Sequence, residues 1–241
     1  MLCRVLSNKP AAPGMHDLRI EFSPEQAPVP GQFLHIAVPG AMLRRPISLC
    51  GFEDGTARLV YAVKGEGTRT LSRVTAGETL DVLGPLGSGF EPGNDSVLLV
   101  GGGIGLPPLL YFDKIHSGEC HMVAGFRTKN LAILTDEFRS IDVCTDDGTL
   151  GRRGYPHEAA RELILSGKRF DRVLACGPLP LLRAVAGMCK ELGVLCFVSV
   201  EERMGCGVGA CLVCACKVGG HYRRACADGP VFRGEDVDFD G

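Results

Sequence analysis

Residues Met204 to Cys226 read M-G-C-G-V-G-A-C-L-V-C-A-C-K-V-G-G-H-Y-R-R-A-C. Within this stretch, Cys206, Cys211 and Cys214 form a C-x4-C-x2-C array, and eleven residues separate Cys214 from Cys226. Plant-type ferredoxins hold a [2Fe–2S] cluster with this array, here with an unusually short reach to the fourth cysteine. We therefore expect these four cysteines to be the ligands of a [2Fe–2S] cluster.

Three glycines in the same stretch suit a loop that wraps around a cluster. Gly205, Gly207 and Gly209 allow the backbone angles that tight turns need. Such a loop can aim backbone N–H groups at sulfur atoms, and soft thiolate ligands stabilise iron.

Zinc and free thiols are the alternative interpretations of these cysteines. A structural zinc site usually pairs one C-x2-C with a second C-x2-C or with two histidines, and only one C-x2-C is present here. Cys216 is a competing fourth ligand because it lies two residues after Cys214. We favour Cys226, since a C-x-C next to a ligand fits the array less well and Cys226 begins its own turn, C-A-D-G-P.

The composition of the chain narrows its possible partners and its cellular location. The chain has 241 residues, a net charge of −2 and no tryptophan, which argues against nucleic acid as a partner. Its twelve cysteines and the lack of an N-terminal signal pattern favour a reducing compartment, so we expect a cytoplasmic location and no disulfides. The longest apolar run, Val97 to Phe112, is broken by glycines and by Pro107-Pro108, so no membrane span is expected.

The first part of the chain reads as short strands separated by turns. Alternating patterns predict strands at Asp17–Phe22, Gln32–Val38, Ala57–Val63 and Glu78–Leu83, with no clear helix among them. This spacing predicts a small antiparallel barrel.

Near Asn94 the pattern changes to alternating strands and helices. Ser96–Val100 is a continuous apolar run that is typical of a buried parallel strand. Further strands are predicted at 121–126, 141–145, 172–175 and 195–200, and helices at 107–115, 135–138, 156–166 and 180–192. The pattern predicts a doubly wound parallel sheet, an α/β fold.

Two motifs in the barrel could bind a flavin. R-R-P-I-S, residues Arg44 to Ser48, offers a cation and a hydroxyl separated by a rigid proline, and G-E-G-T, residues Gly65 to Thr68, offers backbone N–H groups to a diphosphate. Taken singly, either motif also fits an ordinary strand start or a surface turn.

Two further motifs lie at the ends of predicted parallel strands, where such sheets bind ligands. G-G-G-I-G-L-P-P, beginning at Gly101, lets a dinucleotide approach the backbone at a helix N-terminus, although it is not G-x-G-x-x-G. C-G-P, residues Cys176 to Pro178, could lie beside a nicotinamide. The alternatives are a tight turn for the glycines and a buried, packing thiol for Cys176.

In this order, the motifs resemble the ferredoxin reductase superfamily and, more closely, the electron transfer subunits of NAD-dependent dihydroorotate dehydrogenases. The motifs are R-P-I-S (45–48), G-E-G-T (65–68), G-P-L-G-S-G-F (84–90), G-G-G-I-G-L-P-P-L (101–109), T-D-D-G-T-L-G-R-R-G (145–154), A-C-G-P-L-P-L-L (175–182), E-E-R-M-G-C-G-V-G-A-C-L-V-C (201–214) and C-A-D-G-P-V-F (226–232). The resemblance covers nearly the whole chain. It implies an FAD-binding barrel at 1–93, an NAD-binding domain at 94–200 and a [2Fe–2S] domain at 201–241.

The resemblance also assigns residues to each cofactor. It places Arg45, Pro46, Ile47 and Ser48 on the flavin, Val60, Tyr61 and Ala62 along it, and Gly67 and Thr68 on its diphosphate. With the motifs above, the NAD candidates are Gly102, Gly103, Gly105, Cys176, Gly177 and Pro178. Many members of the family have a basic residue where this chain has Ala62, so we expect either that Lys64 or Arg69 compensates or that FAD is held more loosely.

The function implied is that of a redox subunit in an NAD-dependent oxidoreductase. In the family, electrons from dihydroorotate pass from the FMN of a separate catalytic subunit through [2Fe–2S] and FAD to NAD+, in a heterotetramer with two copies of each subunit. No residue set here suggests a dihydroorotate site, so no catalytic residue is assigned. Alternatives are the small subunit of a ferredoxin-NADP oxidoreductase or sulfide dehydrogenase, and a non-enzymatic cluster sensor or zinc-stapled module. Arg127 and Lys129 follow the second predicted strand of the sheet and could hold the 2′-phosphate of NADP, so the choice between NAD and NADP stays open.

Overall fold

A computed structural model describes residues 1–240 of the chain. Its first part is a closed barrel in which every neighbouring pair of strands is antiparallel, in the order β1-β2-β5-β4-β3-β6. The strands are β1 Leu2–Ala12, β2 Met15–Glu21, β3 Phe33–Ile36, β4 Arg45–Glu53, β5 Thr56–Ala62 and β6 Thr79–Leu86. The predicted barrel is confirmed.

One helix in this part contradicts the prediction that the barrel region contains none. Helix α1, Glu66–Leu71, begins four residues after the end of β5 and includes the last three residues of the G-E-G-T motif. The side-chain oxygen of Thr68 accepts hydrogen bonds from the backbone N–H groups of Lys64 and Gly65, and this closes the turn that starts the helix. The motif is therefore a helix start rather than a loop alone.

The second part is a seven-stranded sheet with the order β10-β9-β8-β7-β11-β12-β15. Its strands are β7 Val97–Gly102, β8 Cys120–Phe126, β9 Ile141–Thr145, β10 Arg152–Arg153, β11 Arg172–Cys176, β12 Leu195–Ser199 and β15 Val231–Arg233. All neighbours are parallel except β12 and β15. Every residue of β7 is buried, as its continuous apolar run predicts. The α/β fold is confirmed.

Helices cover this sheet, and three of the four predicted helices are present. They are α2 Leu106–Ile115, α3 Pro156–Leu165 and α4 Leu179–Leu192. The helix predicted at 135–138 is wrong. The chain forms turns there, following Leu134, whose φ of 61° is left-handed and ends any regular helix.

The cysteine-rich segment adds a hairpin and closes the sheet. The hairpin consists of β13 Ala215–Val218 and β14 His221–Arg224. Strand β15 then pairs antiparallel with β12, with Ser199 opposite Val231. The cysteine loop is thereby tied to the edge of the nucleotide sheet.

Charged side chains connect the barrel to the nucleotide sheet. Arg58 on β5 donates to Asp17 on β2 at 2.8 Å and, with both terminal nitrogens, to Glu137 at 2.6 and 2.9 Å. Glu137 lies in the connection between β8 and β9. The hydroxyl of Tyr111 on α2 also donates to the carbonyl of Pro28 at 2.6 Å. We call the Asp17–Arg58–Glu137 set the Arg58 clamp.

Candidate functional site

The cysteine loop turns its backbone N–H groups toward sulfur. Those of Val208, Ala210 and Cys211 point at the sulfur of Cys206, at 3.3 to 3.4 Å. The N–H of Gly209 points at the sulfur of Cys226, at 3.1 Å. These donors lower the pKa of the Cys206 thiol to about 6, so the sulfur is readily a thiolate, the form that binds iron.

The four predicted ligands are arranged in two pairs. Cys206 and Cys211 each direct a backbone N–H at the other's sulfur, at 3.3 and 3.4 Å. The N–H of Cys226 points at the sulfur of Cys214, at 3.5 Å. Two thiols for each of two metal ions is the donor set that a [2Fe–2S] cluster requires. The residues present therefore fit that group.

Cys216 faces away from this arrangement. It lies on β13, and its sulfur is 3.6 Å from the carbonyl oxygen of Arg223 in the opposite strand β14. The geometry favours Cys226 over Cys216 as the fourth ligand.

A cavity of about 1050 Å³ lies between the barrel and the carboxyl ends of the parallel strands. All but one of the predicted flavin and nucleotide residues line it. They are Arg45, Pro46, Ile47, Ser48, Val60, Tyr61, Ala62, Thr68, Gly102, Gly103, Gly105, Cys176, Gly177 and Pro178. The cavity is at the upper end of the size range of ligand sites, as FAD with a nicotinamide nucleotide would require.

Gly67 is the predicted residue that does not line this cavity; it packs behind Arg45 instead. A Cβ atom on Gly67 would lie 2.2 Å from Nε of Arg45, so the guanidinium rests directly on the backbone of α1 and a larger residue would displace it. Arg45 also donates to the carbonyl oxygen of Leu43 at 2.6 Å. A guanidinium held at the cavity wall suits the diphosphate of FAD.

Lys64 reaches the cavity, whereas Arg69 does not. Lys64 lines the wall next to Ala62 and forms an ion pair of 3.4 Å with Glu201. Arg69 pairs with Glu66 on the exposed side of α1. Of the two residues expected to compensate for Ala62, Lys64 is the one whose position fits.

A glycine corner forms where β7 and β11 end. A Cβ on Gly105 would lie 2.2 Å from the carbonyl oxygen of Cys176, and one on Gly177 would lie 3.0 Å from the backbone nitrogen of Gly102. The two strand ends therefore touch through bare backbone, and the missing side chains let a ligand ring approach this corner, which we call the cavity floor. The Cys176 thiol is hydrogen-bonded to the side chain of Ser199, and burial raises the pKa of Cys176 to about 12. It is a neutral group at that floor.

The cavity extends to the cysteine segment. Glu202 and Met204 line its wall and lie four and two residues before Cys206. Burial raises the pKa of Glu202, and the charge of Glu201 raises it further. The predicted cluster loop thus borders the predicted flavin cavity.

A histidine also lies between the barrel and the cluster loop. His35 on β3 is fully buried, and a Cβ on Gly207 would lie 2.5 Å from its Nδ1. Burial lowers the pKa of His35, and the backbone carbonyls of Arg44 and Cys206 oppose that shift. The ring therefore contacts the loop directly beside a predicted ligand.

Comparison with known proteins decides the family. Residues 201–238 match the model of the iron-sulfur cluster binding domain of dihydroorotate dehydrogenase B. The chain is 40% identical to the dihydroorotate dehydrogenase B (NAD(+)) electron transfer subunit of Caldanaerobacter subterraneus subsp. tengcongensis, over 99% of this chain and 98% of that protein. It is 42% identical to the subunit of that name from Geobacillus kaustophilus, over 86% of each.

The chain belongs to the family of dihydroorotate dehydrogenase B electron transfer subunits. The resemblance that the motifs indicate is thereby confirmed.

Solved structures support the fold of this family member. A chain of an NADH-dependent reduced ferredoxin-NADP oxidoreductase superposes with a TM-score of 0.90 at 32% identity, covering 100% of this chain and 91% of that one. Phthalate dioxygenase reductase superposes with a TM-score of 0.63 at 18% identity, covering 90% and 86%, and shows the fold alone.

Several cavity residues of this dihydroorotate dehydrogenase B family member are absent from the sequence predictions. Glu201 and Glu202 follow β12, Asp146 follows β9, and Tyr155 precedes α3. Glu201, Glu202 and Asp146 follow the carboxyl ends of parallel strands, and this position could have indicated them as site residues from the sequence. Two residues were considered for binding a 2′-phosphate. Arg127 lines the cavity, whereas Lys129 is not part of its wall and donates a backbone hydrogen bond to the hydroxyl of Thr149.

None of the helices in residues 1–240 has the length and hydropathy that a membrane-spanning helix needs.

Proposed function

We propose that this chain is the electron conduit of an NAD-dependent dihydroorotate dehydrogenase. It accepts electrons from the FMN of a catalytic partner subunit and delivers them to NAD+, with a [2Fe–2S] cluster and FAD as its own redox groups. The activity serves pyrimidine biosynthesis, and we expect two copies of each subunit in the assembly. Support comes from family membership over 99% of the chain.

One observation carries this function beyond family membership. The wall of the large cavity includes Met204, two residues from the predicted ligand Cys206, and also the strand residues Arg45 to Ser48. A flavin held at Arg45 and a cluster held at Cys206 would therefore be neighbours. Bound FAD would supply the conversion between the hydride of a nicotinamide and the single electrons of an iron–sulfur cluster.

The chain's own residues bind and position these groups. We assign the cluster to Cys206, Cys211, Cys214 and Cys226. Flavin binding is assigned to residues 45–48, 60–62 and 67–68, with Arg45 as the cationic contact. The glycine corner at Gly105 and Cys176 provides the floor for the nicotinamide. The corresponding domains are 1–93 for FAD, 94–200 for NAD and 201–241 for the cluster.

The cluster loop also presents a surface for the partner. Val208, Leu212 and Val213 are each more than half exposed in or next to the C-x4-C-x2-C array. Apolar side chains around a redox group favour docking to a protein that must approach it closely. We expect the FMN subunit to cover them.

We place the protein in the cytoplasm. None of the twelve cysteines forms a disulfide, and cysteines in this number stay reduced in a reducing compartment.

The small subunit of a ferredoxin-NADP oxidoreductase is the second candidate. It is favoured by the TM-score of 0.90 to a chain of such an enzyme. The two candidates differ in the partner subunit and in its substrate, since only the first needs a dihydroorotate-oxidising FMN subunit. Copurification of this chain from its source, with identification of the partner, separates them.

Anaerobic titration of the purified holo-chain with NADH tests the conduit directly. We expect bleaching of the flavin band together with the appearance of the reduced cluster's electron paramagnetic resonance (EPR) signal. Flavin-stripped protein, the control, should leave the cluster oxidised. An oxidised cluster beside fully reduced flavin would contradict the proposed function.

A further inference from the structure

His35 is a buried polar side chain whose ring lacks a well-aligned hydrogen bond. It is 0% exposed, and within residues 1–240 its ring nitrogens have only the backbone carbonyls of Arg44 and Cys206 as polar neighbours, neither in good hydrogen-bond geometry. Leaving a buried polar group without a good hydrogen bond costs folding free energy. A leucine would fill a similar space in the barrel wall without this cost, so we infer that the imidazole at this position has a role other than packing.

One face of the ring packs on the cluster loop. Gly207 has a left-handed φ of 75°, and any Cβ there would come within 2.5 Å of Nδ1. Gly207 directly follows the predicted ligand Cys206 and precedes Val208, whose N–H points at the Cys206 sulfur at 3.4 Å. The ring therefore contacts the part of the loop that fixes the first ligand and its N–H donor.

The backbone of His35 belongs to the flavin wall. In the ladder between β3 and β4, His35 is the partner of Pro46, and Leu34 is the partner of Ile47. Phe33, which lines the cavity, meets the His35 ring edge to face at 6.4 Å between centroids. One residue thus touches the cluster loop with its side chain and the proposed flavin strand with its backbone.

We propose that His35 is a positioning residue that sets the place and surroundings of the cluster loop relative to the flavin strand. This role rests on the proposed function, because it concerns electron exchange between those two groups. Packed interiors transmit small displacements, so a change in ring shape moves Gly207 and Cys206. A neutral imidazole carries one ring N–H, a polar group that an apolar side chain lacks, and polar groups beside metal ligands tune a metal site.

The first test compares His35→Leu, His35→Asn and wild type. For His35→Leu we expect retained FAD, shifted EPR g-values of the reduced cluster, and electron exchange with the flavin slowed by about tenfold in stopped-flow, as for other residues that orient metal ligands. His35→Asn keeps an N–H near the position of Nδ1 and should recover part of both properties. The control His116→Leu removes another buried histidine, one bonded to Gly93 and Asp95, and should leave the EPR signal unchanged.

A second pair of variants approaches the contact from the loop. Gly207→Ala places a methyl group on His35, whereas Gly220→Ala has nearly the same φ, 77°, with nothing within 4 Å of the added Cβ. We expect altered EPR g-values and faster cluster loss for Gly207→Ala alone. This pair decides the matter if His35→Leu does not fold.

Unchanged g-values and unchanged exchange in His35→Leu, or equal behaviour of the two alanine variants, would overturn the role of His35. A wild-type chain without an NADH-reducible cluster would instead contradict the proposed function. The two failures are therefore distinguishable.

Discussion

The barrel contacts its two neighbours in different ways. Against the nucleotide sheet it uses the Arg58 clamp, in which one guanidinium binds two carboxylates across the junction. Against the cluster loop it uses shape, with the buried ring of His35 resting on the bare backbone of Gly207. A charged junction depends on ionisation and tolerates small displacements, whereas a close-packed junction depends on side-chain volume. The chain thus uses tight packing where we place the cluster.

The largest effect is expected at the cluster itself. Cys226→Ser should abolish or severely weaken cluster binding, because one iron of the pair loses a thiolate. Cys216→Ser should retain the cluster, since that sulfur faces Arg223. Iron content and the visible spectrum of the two purified variants measure this, and the opposite pattern would assign the ligand to Cys216.

Arg45→Ala tests whether flavin binding is independent of both junctions. We expect a folded protein that loses FAD on dilution, because a charge-assisted contact of about 1.5–3 kcal/mol is removed. Neither the Arg58 clamp nor the His35 contact includes this guanidinium, so the thermal midpoint of the flavin-free protein should stay near that of flavin-free wild type. Undiminished FAD retention after gel filtration would remove Arg45 from the flavin site.

A somewhat smaller effect is expected at the charged junction. Arg58→Met leaves Asp17 and Glu137 without their shared cation and should lower the free energy of unfolding by about 2 kcal/mol. Arg161→Met is the matched control, because Arg161 pairs with Glu191 within the sheet domain and both side chains are largely exposed. It should cost less than about 1 kcal/mol. Thermal unfolding measures both, and equal losses would show that the clamp is no stronger than a surface pair.

The smallest predicted effect is the pH dependence of that junction. The hydrogen bonds from Arg58 lower the pKa of Glu137 in the folded state. The resulting stability is present above the unfolded-state pKa of the carboxyl group and is lost as the pH falls through the folded-state value. Glu137→Gln should therefore show a weaker loss of stability in acid than wild type, by about 0.5–1 kcal/mol. Parallel acid unfolding curves would contradict the charged character of the junction.

Local patterns sufficed to predict much of the fold. The alternation in 17–22 and 57–63 and the apolar run before Gly101 led to the barrel and the parallel sheet. The helix α1 was not predicted because its six residues include Gly67 and two threonines, which have low helix propensity, and because its start depends on the Thr68 hydroxyl. The helix expected at 135–138 failed because Leu134 adopts a left-handed conformation that a leucine rarely takes.

Local sequence patterns could not predict the two junctions of the barrel, the Arg58 clamp and the His35 contact. Arg58 and Glu137 are 79 residues apart in sequence, and nothing near either residue indicates the other. His35 is one of six histidines that look scattered along the chain. Its role emerges only when the fold brings β3 against Gly207, a contact between residues that are far apart in sequence. The cluster site, in contrast, could be predicted from the sequence, because its cysteines and glycines lie close together in the chain.

Dihydroorotate-dependent NADH formation tests the central claim most directly. The purified holo-chain is assayed with dihydroorotate and NAD+, first alone and then with its FMN-containing partner subunit. The chain alone should form no NADH from dihydroorotate, although it should oxidise NADH with an artificial acceptor. Addition of the partner should start NADH formation, and Cys226→Ser in the same mixture should not support it. NADH formation from dihydroorotate by the chain alone, or undiminished formation with Cys226→Ser, would contradict the account.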